Sequence, residues 1–413
     1  IRASLVKFHD LNGDTYPDVV ICPATRKPAV PRVFLHPGES AQELPSYQEL
    51  TDPGLPAMTT ADILVFADLD NDGNADAILG RYLDIYDENY QYPASGPTRN
   101  SWIQGQGDGS FGKIFPFEDA TLGTTRSAAL SDVNLDGLTD VFFGNFYERY
   151  GKGFEGFPND LLLQYPRPDR EPGFERWPLP RESLPTDYTT DLGGRSTYGV
   201  LIPRLDAGLP YLLELNYGRR WNRLYQLQKR PLFREITWGE ETPPPPSLPT
   251  DPHAWPQHKI HQLKGMNIAE AAGVDGDAIR HGRHPEWPLA HAKARPRSKR
   301  ADEPPFRANG NTFDASVGDI DNDGDFDLVL TTIIHAWAGE SSDRSRILVN
   351  QLQEKGNLEF LSFERLSLDR IPALPEPGTP LSEIHTRYNQ GDIYAEFADL
   401  NHDGRLDLVL CSS

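Results

Sequence analysis

The chain has 413 residues, of which 38% are hydrophobic and 10% aromatic. This is enough to form a packed core, which argues against general disorder. A formal net charge of −21 argues against nucleic-acid binding, which requires a basic surface. No stretch approaches the roughly 18 apolar residues of a membrane-spanning helix. The 35 glycines and 37 prolines indicate many short strands joined by turns and loops.

One sequence pattern occurs five times: a hydrophobic residue, then Asp-x-Asn/Asp-x-Asp-x-x-x-Asp, then a short apolar run. The copies begin at Phe8, Phe66, Leu130, Val317 and Phe397. Each apolar run is rich in Val, Ile, Leu or Phe and only a few residues long, which predicts a buried strand. Recurrence of a loop with its strand predicts a repeat architecture.

The loops carry side-chain oxygens at positions 1, 3, 5 and 9, which suits Ca²⁺ with its six to eight oxygen ligands. The predicted ligands are Asp10, Asn12, Asp14, Asp18, Asp68, Asp70, Asp72, Asp76, Asp132, Asn134, Asp136, Asp140, Asp319, Asp321, Asp323, Asp327, Asp399, Asn401, Asp403 and Asp407. We expect about five structural ions, because each would tie a loop to its own strand and neutralise carboxylates that repel one another. The alternative is a set of Asp-rich turns without metal. The first loop is the least regular, since Thr15 stands where the other loops have glycine.

A degraded copy of the unit lies between the third and fourth loops, at residues 200–217. It keeps the hydrophobic frame, but its ligand positions hold Pro203, Leu205, Ala207 and Tyr211. None of these side chains binds Ca²⁺, so we expect a structural unit without metal. Further strands are predicted at 222–228 and 232–238.

A loop-rich insertion is predicted at about 240–310, where proline is frequent. It holds two His-x-x-His pairs, His258/His261 and His281/His284. On a helix such pairs could bind Zn²⁺ or Cu²⁺, but the neighbouring prolines favour a solvated basic loop. The basic segment 280–307 could receive an acidic partner, or it could be a tether or fold over the acidic ring.

The two cysteines, Cys22 and Cys411, occupy equivalent positions in the first and last repeats. Either they form a disulfide between neighbouring repeats of a closed ring, or they are two free thiols. The sequence begins at Ile1 and its last unit stops at Ser413 after one strand. We therefore expect a fragment of a longer chain or an irregularly closed ring.

The five loops, their hydrophobic frame and the Gly-Asp-Gly-Ser-Phe turn at Gly107 resemble the FG-GAP/VCBS repeats of integrin-α-like β-propellers. The Ala-Glu-Ala-Ala-Gly-Val element at 269–274 and the strand openings at Asn159 and Asn222 also resemble the ASPIC/UnbV group, which includes cartilage acidic protein. This resemblance implies an all-β fold: a single seven-bladed propeller over residues 1–413, with four-stranded antiparallel blades.

The functional hypothesis is a Ca²⁺-stabilised binding or adhesion scaffold for a protein or glycan partner, located extracellularly, at the cell surface or in the periplasm. Propellers host many activities, so two alternatives stay open. One is a carbohydrate lyase or dehydratase with its site at the propeller axis, where His335, Arg195, Tyr198 and His385 would be candidates. The other is a docking subunit of a larger surface assembly. No catalytic residue is assigned.

Overall fold

A computed structural model describes a large part of the chain. It covers residues 3–24, 27–38, 46–82, 99–122, 124–146, 155–167, 171–177, 179, 194–217, 222–229, 263–267, 312–333, 345–364, 392–401 and 403–412. No helix in these ranges is long and apolar enough to cross a membrane. Both His-x-x-His pairs, the basic segment up to residue 307 and the predicted strand at 232–238 lie outside the described residues.

The first three blades are four-stranded antiparallel sheets. Blade one comprises β1 (Ala3–His9), β2 (Asp18–Pro23), β3 (Arg32–Leu35) and β4 (Gln48–Glu49). Blade two comprises β5 (Ile63–Ala67), β6 (Asp76–Gly80), β7 (Ser101–Gly105) and β8 (Phe111–Pro116). Blade three comprises β9 (Thr125–Ser131), β10 (Asp140–Asn145), β12 (Asp160–Tyr165) and β13 (Gly173–Trp177). A separate two-stranded sheet pairs β11 (Glu155–Gly156) with β14 (Gly194–Arg195).

The second half of the chain repeats this arrangement. Blade four comprises β15 (Thr197–Leu201), β16 (Tyr211–Asn216), β17 (Arg223–Lys229) and β18 (Leu263–Asn267). Blade five comprises β19 (Thr312–Gly318), β20 (Asp327–Thr332), β21 (Arg346–Asn350) and β22 (Phe360–Glu364), with the short helix α1 (Leu352–Lys355) before β22. Sheet six pairs β23 (Asp392–Ala398) with β24 (Asp407–Ser412). In every blade the strands pair in chain order.

The second strand of each of blades two to five is apolar because it is covered on both faces. In β10 all six residues are buried. Phe142 packs toward blade four, whereas Val141 and Phe143 pack toward blade two. This alternation is the two-residue period of a strand with both faces in a core. Burying a side chain of this size contributes roughly 1.5–3 kcal/mol.

Apolar clusters of the same kind join each sheet to the next. Cys22 and Leu64 lie between blades one and two, Leu213 and Leu328 between blades four and five, and Phe397 between blade five and sheet six. The innermost strands β1, β5, β9, β15, β19 and β23 all contribute residues to one central cavity. The sheets are therefore arranged as propeller blades around an axis, which confirms the predicted fold class.

The described residues form five four-stranded blades and the two strands of sheet six, not the seven blades that the resemblance implied. The difference arises between residues 200 and 317. There β17 pairs directly with β18, so that Leu227 lies opposite Gly265. The outermost strand of blade four is thus drawn from the predicted insertion, and this interval contributes no further blade to the described part of the chain.

The two terminal sheets each bury one face. Among the described residues ten large hydrophobic side chains are exposed. Five of these are Val6 and Phe8 on β1, and Tyr394, Leu400 and Val409 in sheet six or its loop. Neighbouring residues of the same strands, such as Leu5 and Phe397, pack into the inter-sheet clusters.

Both cysteines are free thiols. Cys22 is buried against blade two, where burial raises the pKa of its thiol to about 11. Cys411 is exposed on sheet six. Of the two arrangements that the sequence left open, the structure has the free thiols, because Cys22 faces blade two.

Candidate metal-binding loops

The five Asp-rich loops occupy the same place in five sheets. Each connects the first strand to the second, at residues 10–17, 68–75, 132–139, 319–326 and 399–406. The aspartate at position 9 of the pattern is the first residue of the second strand in every case. The predicted ligands of each loop are thus brought to one end of its sheet.

The aspartate at position 1 holds the loop closed by accepting backbone N–H groups. In the second loop, Oδ1 of Asp68 accepts from Asp72 N at 3.1 Å and Oδ2 accepts from Gly73 N at 3.0 Å. The turn places Asn71 at φ +58° and Gly73 at φ +89°. Left-handed backbone favours glycine and asparagine, so the residue types at positions 4 and 6 are the ones that this turn needs.

The first loop adopts the same turn despite its irregular sequence. Thr15 has φ +73° and its N–H still donates to Oδ2 of Asp10 at 2.8 Å. A β-branched residue in this conformation costs on the order of 1 kcal/mol. The hydrogen bonds of the loop therefore stabilise this turn by more than the left-handed backbone of Thr15 destabilises it.

The aspartate at position 9 links three parts of its blade. Oδ2 of Asp76 accepts from Leu69 N at 2.8 Å, and Oδ1 accepts from Gly105 N at the end of β7, also at 2.8 Å. Asp18, Asp140 and Asp327 make the equivalent pair of bonds. These carboxylates fix the loop, the second strand and the third strand together.

Burial of these aspartates opposes their charge. It raises the pKa of Asp76 to about 7 and that of Asp327 to about 6, with further contributions from neighbouring carboxylates. Burial likewise raises the pKa of Asp140 well above its usual value. The backbone N–H donors act in the opposite direction but do not compensate. A cation bound among these groups would stabilise their charged forms.

Two loops bring three carboxylates to one point. In the second loop, oxygens of Asp68, Asp70 and Asp76 lie within 4.8 Å of one another, and in the fourth those of Asp319, Asp321 and Asp327 do the same. This geometry provides hard oxygen ligands of the kind that Ca²⁺ takes.

The fourth loop has a further carboxylate group that the sequence pattern did not reveal. Glu354, from α1, lies with Asp321 and Asp323 in a second cluster. Oδ2 of Asp323 and Oδ1 of Asp325 are buried without a hydrogen-bond partner. Buried carboxylate oxygens without partners are costly, so this loop fits a bound cation. No spacing rule could have predicted Glu354, since it joins the site through the fold.

The loops with asparagine at position 3 are arranged differently. Nδ2 of Asn12, Asn134 and Asn401 donates to the aspartate at position 5 in each loop, at 3.1, 2.9 and 3.2 Å. One oxygen of each of these aspartates is thus already engaged. Within the described residues, clusters of three acidic groups occur in the second and fourth loops.

The degraded unit in blade four replaces the carboxylate at position 9 by a phenol. Tyr211 donates its O–H to Oδ2 of Asp206 at 2.5 Å, and its backbone N–H donates to Pro203 O at 2.8 Å. Burial and the bond to Asp206 raise the pKa of Tyr211. The described acidic clusters include no residue of this loop.

The four axial candidates from the sequence are only partly described. Tyr198 lines the central cavity, and Arg195 belongs to β14. His335 and His385 lie outside the described residues. Sequence reasoning did not single out the other charged residues of the cavity, Lys7, Asp62, Arg126 and Asp314, because none of them belongs to a sequence motif.

Solved structures match the chain at low similarity. A lectin of Agrocybe aegerita, described as recognising non-reducing terminal N-acetylglucosamine, is 12% identical with a TM-score of 0.40, over 98% of this chain and 74% of that chain. The Tc holotoxin pore of Photorhabdus luminescens is 14% identical with a TM-score of 0.35, over 98% of this chain and 13% of that chain.

A search of curated proteins finds no match. The family model for an FG-GAP-like repeat matches residues 10–79, which span the first two Asp-rich loops and the strands between them. No match supports the ASPIC/UnbV group. The chain carries an FG-GAP-like repeat in a propeller of four-stranded antiparallel blades.

Proposed function

We propose that this protein is a Ca²⁺-stabilised scaffold that binds a protein or glycan partner in a calcium-rich compartment, outside the cell or in the periplasm. The observation that carries the proposal is the fourth loop. There four aspartates (Asp319, Asp321, Asp323 and Asp327) and Glu354 form two overlapping carboxylate clusters, and two buried carboxylate oxygens, of Asp323 and Asp325, lack a hydrogen-bond partner. Oxygen-only ligand sets suit Ca²⁺ rather than the softer transition metals.

The metal is proposed to act on stability. In blades one, two, three and five the position 9 aspartate already joins the loop to the second and third strands through two backbone N–H bonds. When bound, Ca²⁺ supplies positive charge to carboxylates that burial otherwise drives toward protonation. A rigid ring of sheets then presents its connecting loops to a partner, as loops on rigid scaffolds commonly do.

Thermal unfolding in Ca²⁺ and in EDTA tests this proposal. At a free concentration of 100 times Kd, each site adds about 2.7 kcal/mol. Unfolding entropy per residue implies that 1 kcal/mol shifts the Tm of a chain of this length by about 1 °C. Five filled sites would therefore raise Tm by roughly 10–15 °C. An unchanged Tm in EDTA would refute the metal assignment.

A pair of matched variants tests whether Ca²⁺ binds in the fourth loop. Asp323→Asn removes a carboxylate from the fourth loop, and we expect it to lower the Ca²⁺ stoichiometry of the purified protein by one, as measured by elemental analysis. Asp108→Asn removes an exposed carboxylate from a turn outside the loops, where Asp108 accepts hydrogen bonds from Ser110. It should leave the stoichiometry unchanged.

A further inference from the structure

The central cavity is lined by charged groups from several strands. It has a volume of about 210 Å³ and is lined by all six innermost strands. This is several times the roughly 30 Å³ that a water molecule occupies, and below the ~300 Å³ at which pockets for drug-sized ligands begin. The space suits a ligand of about monosaccharide size.

Two cations from different blades line this cavity. Arg126 on β9 donates to Ala61 O at 2.8 Å and to the Tyr198 hydroxyl at 2.6 Å, and its guanidinium lies 4.8 Å from the centre of the Tyr198 ring. These contacts fix its position. Lys7 on β1 makes no hydrogen bond or ion pair that involves its ammonium group within the described part of the protein.

The two carboxyl groups of the cavity do not balance these cations equally. Asp62 is already engaged, since it accepts from Arg81 at 3.0 Å, from Thr59 N at 2.8 Å and from Tyr82 N at 3.1 Å. Asp314 accepts from Ala395 N at 3.3 Å. Burial raises the pKa of Asp314 to about 6. Because Asp62 is paired with Arg81, the described lining of the cavity sets two cations, Lys7 and Arg126, against one further carboxyl group, Asp314, and this charge distribution favours an anion.

We propose that the axial cavity binds a small hydroxylated carboxylic acid, whose carboxylate is held by Lys7 and Arg126 and whose hydroxyl groups face Tyr394 and Asp314. Charge-assisted contacts of this kind are about twice as strong as neutral ones. The inference goes beyond the proposed scaffold function, and it requires no metal in the loops.

Affinity for the acid should rise as the pH falls from 7.5 to 5.5. The groups that face Asp314 are Lys7 from β1, Arg126 from β9, Tyr198 from β15, and Tyr394 and Glu396 from β23. Lysine, arginine and tyrosine keep their charge states over this range, and the carboxylate of a sugar acid stays ionised. Protonation of Asp314 removes a negative charge from the cavity and so weakens the repulsion of the anionic ligand.

Isothermal titration calorimetry of the full chain in saturating Ca²⁺, with sodium glucuronate as probe and glucose as neutral control, tests the proposal. We expect glucuronate to bind at least tenfold more tightly than glucose, and at least threefold more tightly at pH 5.5 than at pH 7.5. Equal affinity for the two sugars, or no binding of glucuronate at 20 mM, would overturn the proposal. Either result would leave the Ca²⁺-dependence of Tm unaffected.

Three variants assign the effect to the cavity. Lys7→Met should weaken glucuronate at least tenfold, whereas Lys355→Met, which removes a surface ion pair with Glu359, should not. Asp314→Asn should make affinity independent of pH between 5.5 and 7.5. Wild-type affinity in Lys7→Met, or a persisting pH dependence in Asp314→Asn, would contradict the proposed site. If a variant does not fold, the pH dependence of glucuronate affinity in the wild-type protein still tests the proposed site.

Discussion

The aspartate that opens each second strand should matter most where its blade is complete. In blade three, Asp140 is buried and accepts from Val133 N at 2.9 Å and from Gln164 N at 2.8 Å. Asp140→Ala leaves two buried N–H groups unpaired, at roughly 1–3 kcal/mol each. The expected loss is about 4 kcal/mol, or a fall in Tm of about 4–5 °C for a chain of this size.

Sheet six supplies the matched control for this substitution. Asp407 has the same place in its loop, but it is partly exposed, and within the described residues it accepts one hydrogen bond, from Leu400 N at 3.0 Å. Asp407→Ala should therefore lower Tm by about 1 °C or less. Both variants are compared with wild type by differential scanning calorimetry in EDTA, which removes any contribution from bound metal. Equal losses at Asp140 and Asp407 would refute the view that the bond to the third strand carries the effect.

Two further predictions concern the packing of blade two and the charge at the axis. A Cβ at Gly105 would lie 2.2 Å from the backbone oxygen of Ala75, which cannot move aside. At Gly112 a Cβ would meet the flexible end of the Gln106 side chain at 2.6 Å. We expect calorimetry to show that Gly105→Ala lowers Tm by about 3 °C and Gly112→Ala by less than 1 °C. The raised pKa of Asp314 means that its stabilising contribution is present below about pH 4 and lost as the pH rises through about 6. Asp314→Asn should thus raise Tm relative to wild type at pH 7.5 but not at pH 4; a constant difference across this range would contradict the assignment.

Local sequence predicted the loops because everything that shapes them lies within nine residues. The carboxylate at position 1, the left-handed residues at positions 4 and 6, and the buried aspartate at position 9 each have a short-range cause. Asp68 and Asp76 illustrate this, since both bond to backbone groups of their own loop. The third-strand partner, such as Gly105 for Asp76, depends on the fold and carries no local signature.

The blade count and the axial residues could not be predicted in the same way. The sequence of segment 232–238 predicts a strand as well as that of β18 does. The partner of β17 is nevertheless Leu263–Asn267, because long-range packing decides which segment pairs with it. Lys7, Arg126 and Asp314 meet at the axis although they are separated by more than a hundred residues. A single charged residue on an innermost strand is indistinguishable in sequence from one on a solvated edge.

Blade four shows which part of the repeat specifies the fold. It has the same four-stranded order as its neighbours, although Tyr211 replaces the aspartate and bonds to Asp206 instead. Leu213 and Leu215 still pack against blade five. Since strand order and inter-blade packing persist without carboxylate ligands, the apolar second strand directs the propeller topology. We therefore expect a cation bound by the acidic loops to add stability to an architecture whose strand order does not require one.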